Sequence, residues 1–81
     1  MVSEDDPDEA EVVRTAARAA EDVVFSRYDR ADVDDLDVTV AFEDGRLEVD
    51  VYVDAGGPGD PDRVAEDAVL AARAAVDDLL G

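Results

Sequence analysis

The densest group of side chains that could do chemistry is a run of carboxylates: Asp29, Asp32, Asp34, Asp35 and Asp37. Carboxylate oxygens are the ligands that hard cations prefer. The spacing does not fit a calcium-binding loop, because a loop that starts at Asp32 puts Leu36 where an oxygen ligand is needed and Asp37 where glycine is needed. We interpret the run as a solvated acidic segment and predict no metal site and no cofactor. Weak binding of a divalent cation remains the alternative.

The chain has few of the residues that nucleophilic catalysis needs. The serines are Ser3 and Ser26, and the sequence holds no His, Cys or Lys that would activate them. The glycine-rich stretch 56–59 precedes a helix pattern, but it is not followed by the Lys and Ser/Thr of a phosphate loop, and Asp60 would repel phosphate. The sequence therefore predicts a protein that is not an enzyme.

The basic residues indicate little capacity to bind nucleic acid. There are only 7 of them, all Arg, and they form no cluster. We therefore expect no autonomous nucleic-acid binding. Arg14 and Arg18 lie one helical turn apart, so contact with RNA held by a larger assembly, or a small stand-alone RNA-associated protein, is the alternative.

Three apolar side chains fall outside the predicted core. Phe25 and Leu70 lie on the polar faces of the first and second predicted helices, and Tyr52 points away from the apolar face of a predicted hairpin. Single exposed apolar residues are common in monomeric proteins. Together with Arg14 and Arg18, these three are our candidates for a partner-binding surface.

A helix is predicted from Pro7 to about Arg27, with Asp6 as its N-cap. Helical spacing favours one apolar stripe on this helix, with a second group flanking it. The stripe is Ala10, Val13, Ala17, Ala20 and Val24, and the flanking residues are Ala16, Val23 and Tyr28.

The clearest element is a β-hairpin that spans Leu36 to Val53. Apolar and polar residues alternate on both sides of Asp44-Gly45, which is typical of a two-residue type I′ turn. This turn predicts four apolar pairs on one face, namely Phe42 with Leu47, Val40 with Val49, Val38 with Val51, and Leu36 with Val53, with Glu43 opposite Arg46. Residues 29–35 are predicted to be a polar connection.

A second helix is predicted from Pro61 to about Leu80, with Asp60 as its cap. Its predicted apolar stripe is Ala65, Ala68, Ala72, Ala75, Val76 and Leu79. The fold class is therefore α+β, an α-β-β-α two-layer sandwich with both helices on one face of an antiparallel hairpin. We expect an acidic disordered tail at 1–6 and a single domain at 7–81.

A two-stranded sheet has two open edges and is marginally stable alone. We therefore expect the protein to associate through a strand edge or its helices, as a homodimer or as a heterodimer with a similar small subunit; a monomer is the alternative. Two hairpins joined edge to edge would make a four-stranded sheet with four helices on one side.

The formal net charge is -17 over 81 residues, although 47% of the chain is apolar. Such charge opposes folding in dilute buffer, whereas at about 1 M salt the Debye length falls to about 3 Å and most of the repulsion is screened. We interpret the composition as adaptation to a cytosol of very high salt; a mimic of nucleic-acid charge and a disordered chain are the alternatives. No apolar run approaches a membrane span and the N-terminus lacks a signal-peptide pattern, so we expect a cytoplasmic protein.

Four segments resemble a small uncharacterised protein family of haloarchaea. They are Glu11-Val12-Val13, Leu36-Asp37-Val38-Thr39-Val40, Asp50-Val51-Tyr52-Val53 and Ala71-Ala72-Arg73-Ala74-Ala75-Val76. The element order is also similar to the small dimerising subunit of the KEOPS complex, which helps to make threonylcarbamoyladenosine in tRNA. That family has a strand, a helix, a hairpin and a long final helix, and residues 1–6 are too short and acidic to supply the first strand.

The resemblance implies a non-catalytic subunit that docks helices on a catalytic subunit and forms homo- or heterodimers. No catalytic residue carries over from it. Because the first strand is missing, a divergent relative that pairs with the dimerising subunit fits better than a replacement for it. The function we expect is therefore protein–protein interaction within a cytoplasmic archaeal complex, most specifically an accessory KEOPS subunit.

Overall fold

The computed structural model describes residues 8–56 and 59–81. Its elements follow the order α1 (Glu9–Arg27), a 3-10 turn (Arg30–Asp32), β1 (Val33–Glu43), β2 (Arg46–Ala55) and α2 (Pro61–Leu80). The strands form one antiparallel pair, and the two helices pack most extensively on each other. On the sheet, α1 packs mainly on β1 and α2 mainly on β2. This arrangement confirms the predicted α-β-β-α sandwich of the α+β class.

Both helices begin at an aspartate cap. At α1, the Asp8 carboxylate accepts a hydrogen bond of 2.7 Å from the Glu11 backbone N–H. The predicted cap Asp6, the predicted first helical residue Pro7 and the acidic tail 1–6 lie outside the described residues. At α2 the Asp60 carboxylate accepts from the Asp62 N–H at 3.1 Å and Pro61 opens the helix, as predicted.

The hairpin has the predicted register throughout. The four apolar pairs and the Glu43–Arg46 pair are all directly opposite one another. Asp44 and Gly45 have φ values of 51° and 76°, the left-handed values that a two-residue type I′ turn needs at both central positions. The turn and the period-2 pattern therefore specify the same pairing.

The start of β1 differs from the prediction. Residues 29–35 were expected to form a polar connection, but the chain makes a 3-10 turn at Arg30–Asp32 and is already extended at Val33. A register shift between Val33 and Asp35 interrupts the alternation of inward and outward side chains at the start of β1. The acidic sequence there therefore lacks the period-2 pattern that predicts a strand.

Most of the core comes from one i, i+4 row on each helix, and Tyr28 and Val53 complete it. The buried rows are Val12, Ala16, Ala20 and Val24 on α1, and Val64, Ala68, Ala72 and Val76 on α2. The predicted α1 stripe is wrong in part, because Ala10 is exposed, Val13 and Ala17 are only half-buried, and the buried Val12 was left out. On α2, Ala65, Ala75 and Leu79 are half-buried, and the prediction missed Val64.

The inner face of the sheet is only partly covered. Of its eight predicted apolar residues only Val53 is buried, at 5% exposure. The other seven are half-buried: Leu36, Val38, Val40, Phe42, Leu47, Val49 and Val51. The two helices thus cover the inner face of the hairpin only in part.

Candidate interaction surfaces

Arg14 and Arg18 come together on α1, as their spacing predicts. They line a shallow groove of about 400 Å³ between α1 and α2, which Glu11, Asp22 and Ala75 also line. The two carboxylates balance the two guanidinium groups, so the groove carries no net positive charge. This composition is unlike the basic surface that binds nucleic acid.

Phe25 is half-buried, although it lies on the polar face of α1. The guanidinium carbon of Arg30 sits 4.7 Å from the centroid of the Phe25 ring, which is a cation–π contact. The 3-10 turn after α1 brings Arg30 back over the ring. Phe25 is therefore already engaged within the chain, and sequence spacing alone did not show this contact.

Leu70 and Tyr52 are the freely exposed apolar candidates, at 65% and 57%. Leu70 is on the side of α2 that faces away from the sheet, and Tyr52 is on the outer face of the hairpin opposite Asp37. They lie on opposite faces of the two-layer sandwich, so the structure does not bring them into one site. Leu80, at 48% exposure, is a third exposed apolar side chain, which we did not predict.

The outer face of the hairpin is strongly acidic. Asp35 lies directly opposite Asp54, while Thr39 and Ala41 of β1 lie opposite Asp50 and Glu48 of β2. Among residues 8–56 and 59–81, no three His, Cys or acidic side chains are arranged to hold a metal ion. The acidic run 29–37 is instead spread along the 3-10 turn and one strand.

Both long edges of the sheet are free of strand partners within the described chain. In a two-residue hairpin the residues that flank the turn exchange hydrogen bonds, and such pairs alternate along the ladder. The N–H and C=O groups of Leu36, Val38, Val40 and Phe42 therefore point to the free edge of β1. Those of Leu47, Val49, Val51 and Val53 point to the free edge of β2.

Side-chain contacts connect α1 and α2 at the end of the molecule where α1 stops and α2 starts. Arg27 of α1 forms a 3.1 Å ion pair with Asp67 of α2, in which both side chains are partly exposed. Tyr28 is 7% exposed, and its hydroxyl has no hydrogen-bond partner among the described residues. A Cβ placed on Gly59 would lie 3.1 Å from that hydroxyl, so the backbone at Gly59 passes closely over the tyrosine.

Comparison with known proteins shows which family the chain belongs to. A family model described as a protein of unknown function, DUF3194, matches residues 2–79. The chain belongs to this family. An uncharacterized protein of Natronomonas pharaonis is 51% identical over 75 residues, which covers 93% of this chain and 90% of that protein. No solved structure matches the chain.

The DUF3194 match and the relative confirm the coarser part of the sequence reading, a small uncharacterised family found in a haloarchaeon. Such a relative fits the acidic, lysine-free composition. Within the described residues, no helix has the length and apolar character needed to cross a membrane.

Proposed function

We propose that this DUF3194 protein is a non-catalytic subunit that binds other proteins in a cytoplasmic archaeal complex. Its most specific assignment is an accessory subunit of the KEOPS complex for threonylcarbamoyladenosine modification of tRNA. The observation that carries the proposal is the hairpin with two free edges and a half-buried apolar inner face. A sheet in this state gains stability when a further strand pairs with it.

The order of elements supports the KEOPS assignment. The helix Glu9–Arg27, the hairpin Val33–Ala55 and the helix Pro61–Leu80 follow the last four elements of the small dimerising subunit. The resemblance lies in element order and involves no catalytic motif. It therefore favours a role in assembly, with a similar small subunit as the partner.

Two kinds of exposed surface are available for such assembly. The exposed Leu70 side chain lies on the solvent side of α2, where another protein's helix can pack against it. The free strand edges offer backbone hydrogen bonds to a partner strand. The two surfaces are separate, so one subunit has room to contact two partners at once.

Reconstitution tests the proposal directly. The protein and the small dimerising KEOPS subunit of the same host are co-expressed in a halophilic archaeon and purified in molar KCl. We expect one stable complex by size-exclusion chromatography with light scattering. Two separate species under conditions where both proteins are folded would refute the pairing.

The second candidate, a stand-alone RNA-associated protein, rests on the proximity of Arg14 and Arg18 alone, because Glu11 and Asp22 balance their charge in the groove. Because phosphate contacts weaken steeply with salt, this candidate predicts tRNA binding that is strongest at the lowest salt at which the protein stays folded. Our proposal predicts no binding by the isolated protein there, as measured by fluorescence anisotropy with labelled tRNA. Binding that is lost in the Arg14→Ala/Arg18→Ala variant would favour the RNA-associated role.

A further inference from the structure

The two helices are wider than the sheet beneath them. Packed helices lie about 8–10 Å apart, whereas paired strands lie about 4.8 Å apart. On the sheet, α1 packs mainly on β1 and α2 mainly on β2. With these spacings, each helix axis is displaced outward from the strand that it covers. From these spacings we expect each free edge of the sheet to lie beneath a helix that extends past it.

The overhang of α1 is apolar and uncovered. Thr15 and Ala19 line the groove toward α2, so the opposite flank of α1 faces away from α2, over the edge of β1. That flank carries Ala10, Val13 and Ala17, which the sequence pattern assigned to the core. In the structure Ala10 is exposed, Val13 and Ala17 are half-buried, and none of them packs on the core cluster.

The edge of β2 is obstructed by a charged side chain. Arg73 of α2 lines a hollow of about 400 Å³ together with the outward-facing residues Thr39, Glu48 and Asp50. To reach that hollow, the arginine must pass across the edge of β2. A long basic side chain over a strand edge is one of the devices that prevent pairing there.

We infer that the β1 edge is the docking edge of this protein. Its occupant is an extended strand of a partner protein that has no helix of its own above it. The strand pairs with the free backbone groups of Leu36, Val38, Val40 and Phe42, and its apolar side chains fill the space under Val13 and Ala17. The inference rests on the proposed assembly role and identifies which edge performs it.

A second copy of this chain does not fit the β1 edge. If two β1 strands paired at about 4.8 Å, the two overhanging α1 helices would need the same space above the junction, because helices require about 8–10 Å between their axes. A strand without a covering helix avoids this clash. In the small dimerising subunit of the proposed function, the candidate is the strand that precedes its first helix, because its hairpin lies between two helices as it does in this chain.

The charges along β1 define the chemistry of the occupant. Its outward-facing side chains would lie beside Asp35, Asp37, Thr39, Ala41 and Glu43. Like charges directly opposite each other on neighbouring strands are destabilising, and opposite charges are stabilising. The partner strand therefore carries basic or neutral residues on its outer side and apolar residues on the side that faces α1.

A matched pair of proline variants tests the edge. Val38 and Val51 are directly opposite each other, both are half-buried, and each points its N–H to a free edge. Proline is tolerated on an edge strand whose N–H faces solvent, so Val38→Pro blocks β1 and Val51→Pro blocks β2 without removing a hairpin hydrogen bond. Similar melting temperatures for the two variants show that they are equally folded.

The probe is a fluorescein-labelled synthetic peptide matched to positions 35–43. It has Lys opposite the three carboxylates, Thr opposite Thr39 and Ala41, and Val at the positions that face α1; a shuffled peptide of the same composition is the control. Binding is measured by anisotropy in about 1 M KCl, where nonspecific attraction is screened. We expect binding of the matched peptide only, and at least a tenfold (about 1.4 kcal/mol) weaker affinity for Val38→Pro but not for Val51→Pro.

A second matched pair tests the overhang. Val13→Glu places a charge on the flank of α1 over β1, whereas Thr15→Glu places a charge on the opposite flank. Val13 and Thr15 are both half-buried, so the two substitutions are matched in burial. We expect peptide binding to be lost only in Val13→Glu. No binding of the matched peptide to the wild type, equal binding of both peptides, or loss in Val51→Pro instead would each overturn the inference.

The same variants separate this inference from the proposed function. If the KEOPS subunit co-purifies equally well with Val38→Pro and Val51→Pro, the β1 assignment is wrong although the assembly role holds. If the peptide binds as expected and no KEOPS subunit co-purifies, the edge is correctly assigned and the KEOPS role fails. Self-association of the wild type that Val38→Pro abolishes, measured by sedimentation equilibrium, would make the occupant a second copy and overturn the inference.

Discussion

At the scale of single residues, the chain shows both what a side-chain pattern reveals and what it hides. Leu70 and Tyr52 are exposed as their positions on a helix and a strand predict. Phe25 could not be placed in the same way, because its partner Arg30 is brought over it by a 3-10 turn that the sequence did not reveal. Helical spacing cannot predict a contact that depends on the path of the chain through a turn.

Tyr28 and Gly59 provide a prediction at this scale. Because the buried Tyr28 hydroxyl has no partner in residues 8–56 and 59–81, Tyr28→Phe is expected to change the free energy of unfolding by no more than about 0.5 kcal/mol, or to raise it. Gly59→Ala is expected to destabilise by about 1–3 kcal/mol, since φ there is +115° and the new Cβ meets the hydroxyl. Urea unfolding in molar KCl measures both effects.

The double variant Tyr28→Phe/Gly59→Ala completes the cycle. We expect a smaller loss than the sum of the single changes, because phenylalanine removes the atom that the new Cβ would meet. A large loss in Tyr28→Phe alone would mean that the hydroxyl makes a stabilising hydrogen bond, contrary to this account.

At the scale of elements, the hairpin was predictable and the helix faces were not. The alternation on both strands and the Asp44-Gly45 turn independently gave one register, and a slip of one residue would expose the whole apolar set. On α1, Ala or Val occupies so many positions that helical spacing fits more than one stripe. The structure buries the row from Val12 to Val24, since that row faces α2 and the sheet together.

The turn gives a prediction at the scale of the hairpin. Gly45 has a φ of +76° and open space around its Cβ position, so Gly45→Ala introduces backbone strain without a clash. We expect it to lower the free energy of unfolding by about 1 kcal/mol. Gly56 also has open space, and its φ lies outside the left-handed region, so Gly56→Ala is the control and should stay within about 0.5 kcal/mol of the wild type. Equal effects in urea unfolding would contradict the assigned turn.

At the scale of the whole molecule, net charge and small core together make folding depend on salt. The protein carries a charge of -17, its core is made mostly of Ala and Val, and only one ion pair joins its elements in the described residues. Small domains bury a low fraction of their surface and have little stability to spare. We therefore expect screening of the repulsion between carboxylates to supply a large part of the stability of this fold.

The salt prediction follows from this balance. Raising KCl from about 0.1 M to about 1 M shortens the Debye length from about 10 Å to about 3 Å and should raise the melting temperature substantially. Circular dichroism measures it, with a matched series in sucrose as the control for effects other than charge. A melting temperature that does not change with KCl would contradict the interpretation of the composition.

The proposed association is the claim with the largest consequences at the scale of the whole molecule. A tagged copy of the protein, expressed in a halophilic host and purified in multimolar KCl, is analysed by mass spectrometry for the proteins that co-purify. We predict recovery of the KEOPS subunits, with the small dimerising subunit in equal amount to the tagged protein. Recovery of the protein alone as a stable monomer, or with ribosomal proteins or chaperones instead, would contradict the central claim.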